Sequence, residues 1–373
     1  NMRQASGLRA QVIDVSVSSP DTIRAFDRSN FLDARWSTAT NSIHTLSRYI
    51  WDRQNRIQSA IRGATALLTV IIISVGALLV VDGKLDVGAM IGANILAARA
   101  LMPIVGLSQQ VDGWVRAGQA RRSLADFLQI PRERISGTAI NKYSGNIEVR
   151  NMTFTYPNLG STLIDEINFS IKAGEVLCIS GRNGSGKTTL AKLLAGLLDP
   201  SRGQILAGGI DLQQIAPDWW RQQIMYLPQE PYFMNGSIRE NFNAFNPDLT
   251  AQEIRKLLVD VGLVSLADES PGGLDQPVGK AGTNFSLGVR RRLALARALS
   301  HDGPLAILDE PTEGIDAIGA SYVYRIMNEM VRNGKTIIAC SHDREIIRGA
   351  HLFLDLNERP RPVIKDINKD DTS

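Results

Sequence analysis

The sequence predicts an α/β domain preceded by an all-α segment that enters a membrane. Three observations predict it. Residues 64–81 carry no charge and are rich in Leu, Ile and Val. From residue 146 to about residue 356, short apolar strand-like runs alternate with stretches of helical spacing. Between two of these lies the glycine-rich segment Gly181-Arg182-Asn183-Gly184-Ser185-Gly186-Lys187-Thr188.

A chain of 373 residues has room for one large domain or two ordinary ones. Its formal net charge of +3 carries no nucleic-acid footprint, so no nucleic-acid partner is expected. Cys178 and Cys340 each sit in a short apolar run, without the spacing of a metal site or a redox pair. They read as buried small hydrophobes in a reducing compartment. The start, Asn-Met-Arg-Gln, has no signal-peptide pattern.

Residues 1–62 are polar with scattered apolar positions. Arg48, Arg53, Arg56 and Arg62 recur along a stretch free of Pro and Gly up to Gly63, which predicts a helix. Residues 64–81 then reach the length at which a membrane span is expected. After the turn Asp82-Gly83-Lys84-Leu85-Asp86, residues 87–111 form a second apolar stretch, interrupted by Arg99 and Pro103. A mid-membrane Arg99 is costly against lipid and is expected to face a bundle interior or an aqueous cavity. Arg56 and Arg62 flank one end of the pair; Arg116, Arg121 and Arg122 flank the other. Basic flanks mark the cytoplasmic side, so the turn lies outside and both ends inside. Two spans leave polar groups such as Arg99 without partners, so further spans before residue 1 or on other chains are expected. Residues 129–145, with Pro131, Gly137 and Gly145, read as a linker, and residues 361–373, ending in the polar run 367–373, as a tail.

In the α/β part, residues 147–150 and 152–156 alternate like strands, 176–180 read as a buried strand, and 188–198 as a helix. The segment 181–188 matches G-x-x-x-x-G-K-[ST] in the strand-then-helix context that gives the motif meaning. Its glycines, Gly181, Gly184 and Gly186, let backbone N–H groups, including those of Asn183 and Ser185, turn inward around phosphates. The helix N-terminus adds its dipole. Lys187 supplies a cation for the β- and γ-phosphates of ATP, and the Thr188 hydroxyl a ligand for Mg2+. Thr189 completes the group of ATP contacts. A second apolar run, 305–308, delivers Asp309 and Glu310 at its end. Asp309 is placed to hold magnesium and Glu310 to deprotonate an attacking water.

Further elements narrow the class. Residues 284–299, containing Phe285-Ser286-Leu287-Gly288-Val289, resemble the signature segment of ATP-binding cassette (ABC) proteins, whose usual core is L-S-G-G-Q. Tyr156 is similar to the aromatic that stacks on adenine. Gln229, in Tyr226-Leu227-Pro228-Gln229-Glu230, resembles the Q-loop, which also contributes to magnesium binding and catalysis. Glu313-Gly314-Ile315-Asp316 resembles the D-loop, and His342 the switch histidine. The resemblance covers residues 145–356. It implies an α/β P-loop ABC ATPase domain, residues 146–360, behind a partial transmembrane domain of the type I ABC exporter kind, residues 1–128.

Exporter membrane domains of this family have six spans, of which the last two precede the ATPase. The hairpin fits those two, and residues 18–26 resemble the intracellular loop that docks on a nucleotide-binding domain. The first four spans are then expected upstream of Asn1. Residues 87–103 look like bacterial type I secretion ATPases. That implies an inner-membrane protein with a cytoplasmic ATPase domain, lipid around its spans, a second exporter half as partner, and a periplasmic adaptor with an outer-membrane channel. Export of lipids or small molecules is the alternative.

The signature departs from the family pattern. Phe285, Leu287 and Val289 replace the usual Leu, first Gly and Gln, while Ser286 and Gly288 are kept. In the family this segment contacts ATP bound to the other subunit, so Leu287 is expected to hold two subunits slightly apart. Either a heterodimer with a regulatory half or a homodimer with two slower sites follows. The run Arg290-Arg291-Arg292 reads as a solvated helix face.

Overall fold

The computed structural model describes residues 2–18, 20–130, 132–134, 136–139, 142–157, 160–268, 272–279, 282–357, 362 and 364–366. The chain divides into two compact units, Asn1–Pro131 and Arg132–Ser373.

The first unit is helical: α1 (Met2–Ser18), α2 (Pro20–Ala25), α3 (Ser29–Val81) and α4 (Val87–Leu128). The region expected as a docking loop contains α2, closed by Asp27 in the left-handed region at φ 46°; Ser19 lies outside the described residues. The predicted helix before residue 64 and the predicted span 64–81 are one continuous element, α3, of 53 residues. At 1.5 Å per residue it is about 80 Å long. Among the described residues, α3 is long and apolar enough to cross a membrane, whereas the apolar part of α4 is the shorter Val87–Ala100. The turn between them is built from local signals. Gly83 adopts φ 69°, and Asp86 caps α4 by accepting from the Gly88 N–H at 2.9 Å. Gly76 permits close helix packing there, since a Cβ would lie 2.5 Å from Met90 Cγ. Pro103 sits inside α4 without ending it, and Arg99 is exposed on this chain alone.

The second unit begins with β1 (Ile147–Thr155), β2 (Thr162–Ile171), β3 (Val176–Ser180) and α5 (Lys187–Leu194). Next come β4 (Arg202–Ala207), β5 (Ile210–Asp211), α6 (Pro217–Gln223) and β6 (Ile224–Leu227). A small ribbon of β7 (Gly236–Ser237) and β8 (Pro277–Val278) brackets α7 (Ile238–Asn243), α8 (Ala251–Asp260) and α9 (Val264–Asp268). The remainder is α10 (Leu287–Leu299), β9 (Leu305–Asp309), α11 (Ala317–Arg332), β10 (Thr336–Cys340), α12 (Arg344–Arg348), β11 (Leu352–Asp355) and β12 (Ile364–Asp366).

Two sheets organise this unit. An antiparallel sheet has the order β2-β1-β4-β5. The larger sheet has the order β12-β11-β3-β10-β9-β6, parallel except at β12. Side chains alternate between the faces of a strand, and this sheet is covered on both. Leu177, Ile179, Leu305, Ile307 and Ile338 enter one core, while Val176, Cys178, Ala306, Leu308 and Ile337 enter the other. That double burial is why these strands read as unbroken apolar runs. Cys178 and Cys340 are buried free thiols; burial pushes the Cys178 thiol up to about 12.

Two stretches carry more structure than their composition indicates. Within 129–145, Thr138 bridges to Ile215, and Tyr143 is buried edge-on against Trp219 and Trp220. Pro131 lies outside the described residues. Within 361–373, residues 364–366 form β12 and pair with β11; residues 367–373 lie outside the described residues.

Candidate functional site

The strand order decides where the chemistry meets. β3, β10, β9 and β6 are parallel neighbours, so their carboxyl ends lie along one edge. The phosphate loop follows β3, Asp309 ends β9 with Glu310 next, His342 follows β10, and Gln229 follows β6. Crevices outside the carboxyl ends of open α/β sheets are the usual place for ligands.

The loop from Gly181 to Gly186 needs glycine for a steric reason. Gly184 and Gly186 adopt φ of 82° and 104°, and a Cβ on Gly186 would press on Ile164 Cγ1 at 3.3 Å. Gly186 is the N-cap of α5, so the helix opens directly at the loop. Lys187 is buried and folded back over it, donating to the Gly181 carbonyl at 2.7 Å and to His342 Nε2 at 2.8 Å. Glu310 Oε1 stands 3.6 Å from the Lys187 ammonium and 3.8 Å from His342 Nε2. Lysine, histidine and glutamate thus converge on one point.

Glu310 occupies the left-handed region at φ 50°, an uncommon conformation for a residue with a side chain. Its N–H donates to the Cys340 carbonyl at 2.8 Å, continuing the β9–β10 pairing one residue past the strand. That backbone turn aims the carboxylate back across the strand ends. Burial raises its carboxyl above the usual range, against the opposing pull of Lys187 and His342.

Asp309 is 1% exposed, and neither carboxylate oxygen has a hydrogen-bond partner among the described residues. Burial raises its carboxyl; the nearby Thr188 hydroxyl and Lys187 offset this only in part. The hydroxyl is engaged elsewhere, donating to Gln229 Oε1 at 3.1 Å. An orphaned buried carboxylate costs free energy unless something cationic completes it. With Thr188 beside it and Gln229 bonded to Thr188, the donor set is all oxygen, the chemistry a hard divalent cation takes.

Residues 164–313 match the family model described as ABC transporter. This stretch is an ABC transporter domain. The alpha-hemolysin translocation ATP-binding protein HlyB of Escherichia coli is 34% identical over 285 residues, 76% of this chain and 40% of that protein. The toxin RTX-I translocation ATP-binding protein of Actinobacillus pleuropneumoniae is 30% identical over 336 residues, 90% of this chain and 47% of that protein. The chain therefore spans less than half the length of these relatives. Among solved structures, a bacterial Atm1-family ABC exporter with ATP bound aligns with a TM-score of 0.83 at 22% identity. The alignment covers 95% of this chain and 62% of that one, and shows that the fold is shared.

In the second unit, Tyr156 is partly buried, its ring edge-on to Phe154 and its hydroxyl 3.1 Å from Thr189 Oγ1. Asn183 and Gly184 are exposed at the tip of the loop. Ser286 caps α10, accepting from the Val289 N–H at 3.4 Å. Leu287 is 43% exposed and rests on the D-loop, its Cδ2 at 2.9 Å from where a Cβ on Gly314 would lie. Gly288 faces the Gly314 carbonyl. Asp316 caps α11 through the Gly319 N–H at 3.0 Å. The signature and D-loop therefore pack on each other.

The ABC domain corrects the reading of Arg290-Arg291-Arg292 as a solvated face. Arg291 is buried; it donates to the Glu313 carbonyl, to Glu313 Oε2 at 2.9 Å and to the Glu310 carbonyl at 3.4 Å. Arg292 donates to the Gly262 carbonyl at 3.0 Å. The helix period contained the signal: Arg291 falls on the stripe with Ala294, Leu295 and Ala298, all buried. Glu313, read in the sequence only as part of the D-loop, has a further contact. Arg291 holds its carboxyl below the usual range, and Gln229 Nε2 donates to it at 3.3 Å.

Proposed function

We propose that this chain is the ATP-hydrolysing part of a membrane exporter serving type I secretion of polypeptides. The observation that carries the reading is the convergence of Lys187, His342 and Glu310 beside the orphaned carboxylate of Asp309. The relatives, named for translocating toxins, support the secretion part, and α3 supports a membrane setting.

The residues divide the work. Backbone N–H groups from Gly181 to Gly186, with the N-terminus of α5, hold the phosphates. Lys187 exchanges its contacts with Gly181 and His342 for β- and γ-phosphate oxygens. Tyr156 takes the adenine face. Thr188, Asp309 and Gln229 would hold magnesium, which would supply positive charge against the charge developing on the phosphates. Glu310, its proton affinity raised by burial, takes the proton of the attacking water. His342 keeps Glu310 and the γ-phosphate in register. Ser286, Leu287, Gly288 and Asp316 present to the ATP of a second exporter half. We place the spans in the inner membrane and the ABC domain in the cytoplasm, with an adaptor and an outer-membrane channel as further partners.

Glu310→Gln tests the assignment. It is expected to keep nucleotide binding and to lose hydrolysis by about 10²–10⁴-fold, the usual contribution of a general base. Unchanged turnover would remove Glu310 from the mechanism.

A further inference from the structure

The Gln229 side chain is held at both ends. Its carbonyl oxygen accepts from the Thr188 hydroxyl at 3.1 Å, and its NH2 donates to Glu313 Oε2 at 3.3 Å. The same carboxylate oxygen accepts from Arg291 Nη2 at 2.9 Å, and Arg291 also grips the Glu313 main-chain carbonyl. The two ends of a carboxamide have nearly the same shape, so its neighbours decide which way it points. Thr188 cannot decide, because a hydroxyl donates or accepts equally well. Glu313 can, because an ionised carboxylate only accepts. A reversed amide would set its oxygen against that carboxylate.

We propose that Glu313 is a positioning residue that fixes the Gln229 carboxamide with its oxygen toward Thr188 and Asp309, as a magnesium ligand requires. This rests on the ATP–magnesium reading above. Arg291 fixes Glu313 in turn. It projects from α10, the helix capped by Ser286. The orientation of the Q-loop ligand is thereby tied to the helix that carries the signature.

The test compares Glu313→Ala with Glu313→Gln in the full chain in detergent, using a non-hydrolysable ATP analogue. Its affinity is measured in EDTA and at saturating Mg2+, and the ratio of the two is the readout. The wild type is expected to bind more tightly with Mg2+. Removing an outer partner of a metal ligand typically costs about 10–100-fold in metal affinity. Glu313→Ala should therefore lower the ratio about tenfold or more, with the affinity in EDTA unchanged. Glu313→Gln should retain the ratio, because one amide oxygen in the place of Oε2 still accepts from both Arg291 and Gln229.

An unchanged ratio in Glu313→Ala overturns the inference. So does equal loss of affinity with and without Mg2+, the mark of a merely structural role. A Glu313→Gln variant as impaired as Glu313→Ala also overturns it, since negative charge and not orientation would then be what matters. A wild-type ratio of one overturns the magnesium reading itself, and this inference with it.

Discussion

Replacing Asp309 by asparagine should stabilise the protein without metal while abolishing what Mg2+ adds. The Asp309 carboxylate is 1% exposed and unpartnered among the described residues, with Lys187 as its nearby cation. An unsatisfied buried polar group costs about 1–3 kcal/mol, and a charge more. Asparagine is still polar, so the gain in Asp309→Asn is the extra cost of the charge, which Lys187 and Lys192 offset in part, on the order of 1–3 kcal/mol. Domains of 150–250 residues shift by about 2–4 °C per kcal/mol, so the variant should melt about 2–12 °C higher in EDTA. The sign with pH is fixed too. An acid whose folded pKa is raised destabilises the fold above that pKa and ceases to do so as pH falls toward its ordinary value of 3.8. The gap between variant and wild type should therefore narrow on acidification. Thermal unfolding followed by fluorescence, in EDTA and with Mg2+ plus a non-hydrolysable nucleotide, reads both effects. An Asp309→Asn protein that melts at or below the wild type in EDTA would refute the reasoning.

Two more predictions concern the loops around the site. Leu287→Gly restores the small residue usual in the signature and frees Gly314 of its contact; ATP turnover should rise, and a slower but folded variant would show that Leu287 is not an obstruction. Asp343 caps α12 and accepts from Thr312 at 2.9 Å and Tyr324 at 2.5 Å. Asp343→Ala should cost about 2–3 kcal/mol from the lost cap and hydrogen bonds. Burial alone would raise the Asp343 carboxyl, but these bonds hold it below its ordinary 3.8. Its contribution is thus present above that value and lost as pH falls through the lowered one. Acid unfolding followed by circular dichroism should show a low-pH loss in the wild type that the variant lacks.

Much of the site was legible because each motif is contiguous in the chain. Gly181 to Thr188 declares itself by spacing and context. Asp309 and Glu310 declare themselves by following an apolar run, and β3 spans the run expected at 176–180. These are local signals, set by backbone freedom at glycine and by strand periodicity. The long apolar helix was legible in composition, although the expected boundary near residue 63 vanishes inside the continuous α3.

Tertiary structure decided what composition leaves open. Parallel pairing in the order β3-β10-β9-β6 places the ends of strands far apart in sequence side by side, and so brings His342 and Gln229 to Lys187 and Thr188. Burial reversed the meaning of Arg291, a charge that looks solvated in a basic run and instead pins Glu313 from within a packed helix. Tyr143 and β12 joined the second unit because an aromatic pocket and an open strand edge were there to receive them. The sequence by itself determined the glycine-rich loop from Gly181 to Thr188, since such a loop is built from consecutive residues. Which way Gln229 points, and how bare Asp309 is, depend on partners dozens of residues away, and only the folded chain sets those.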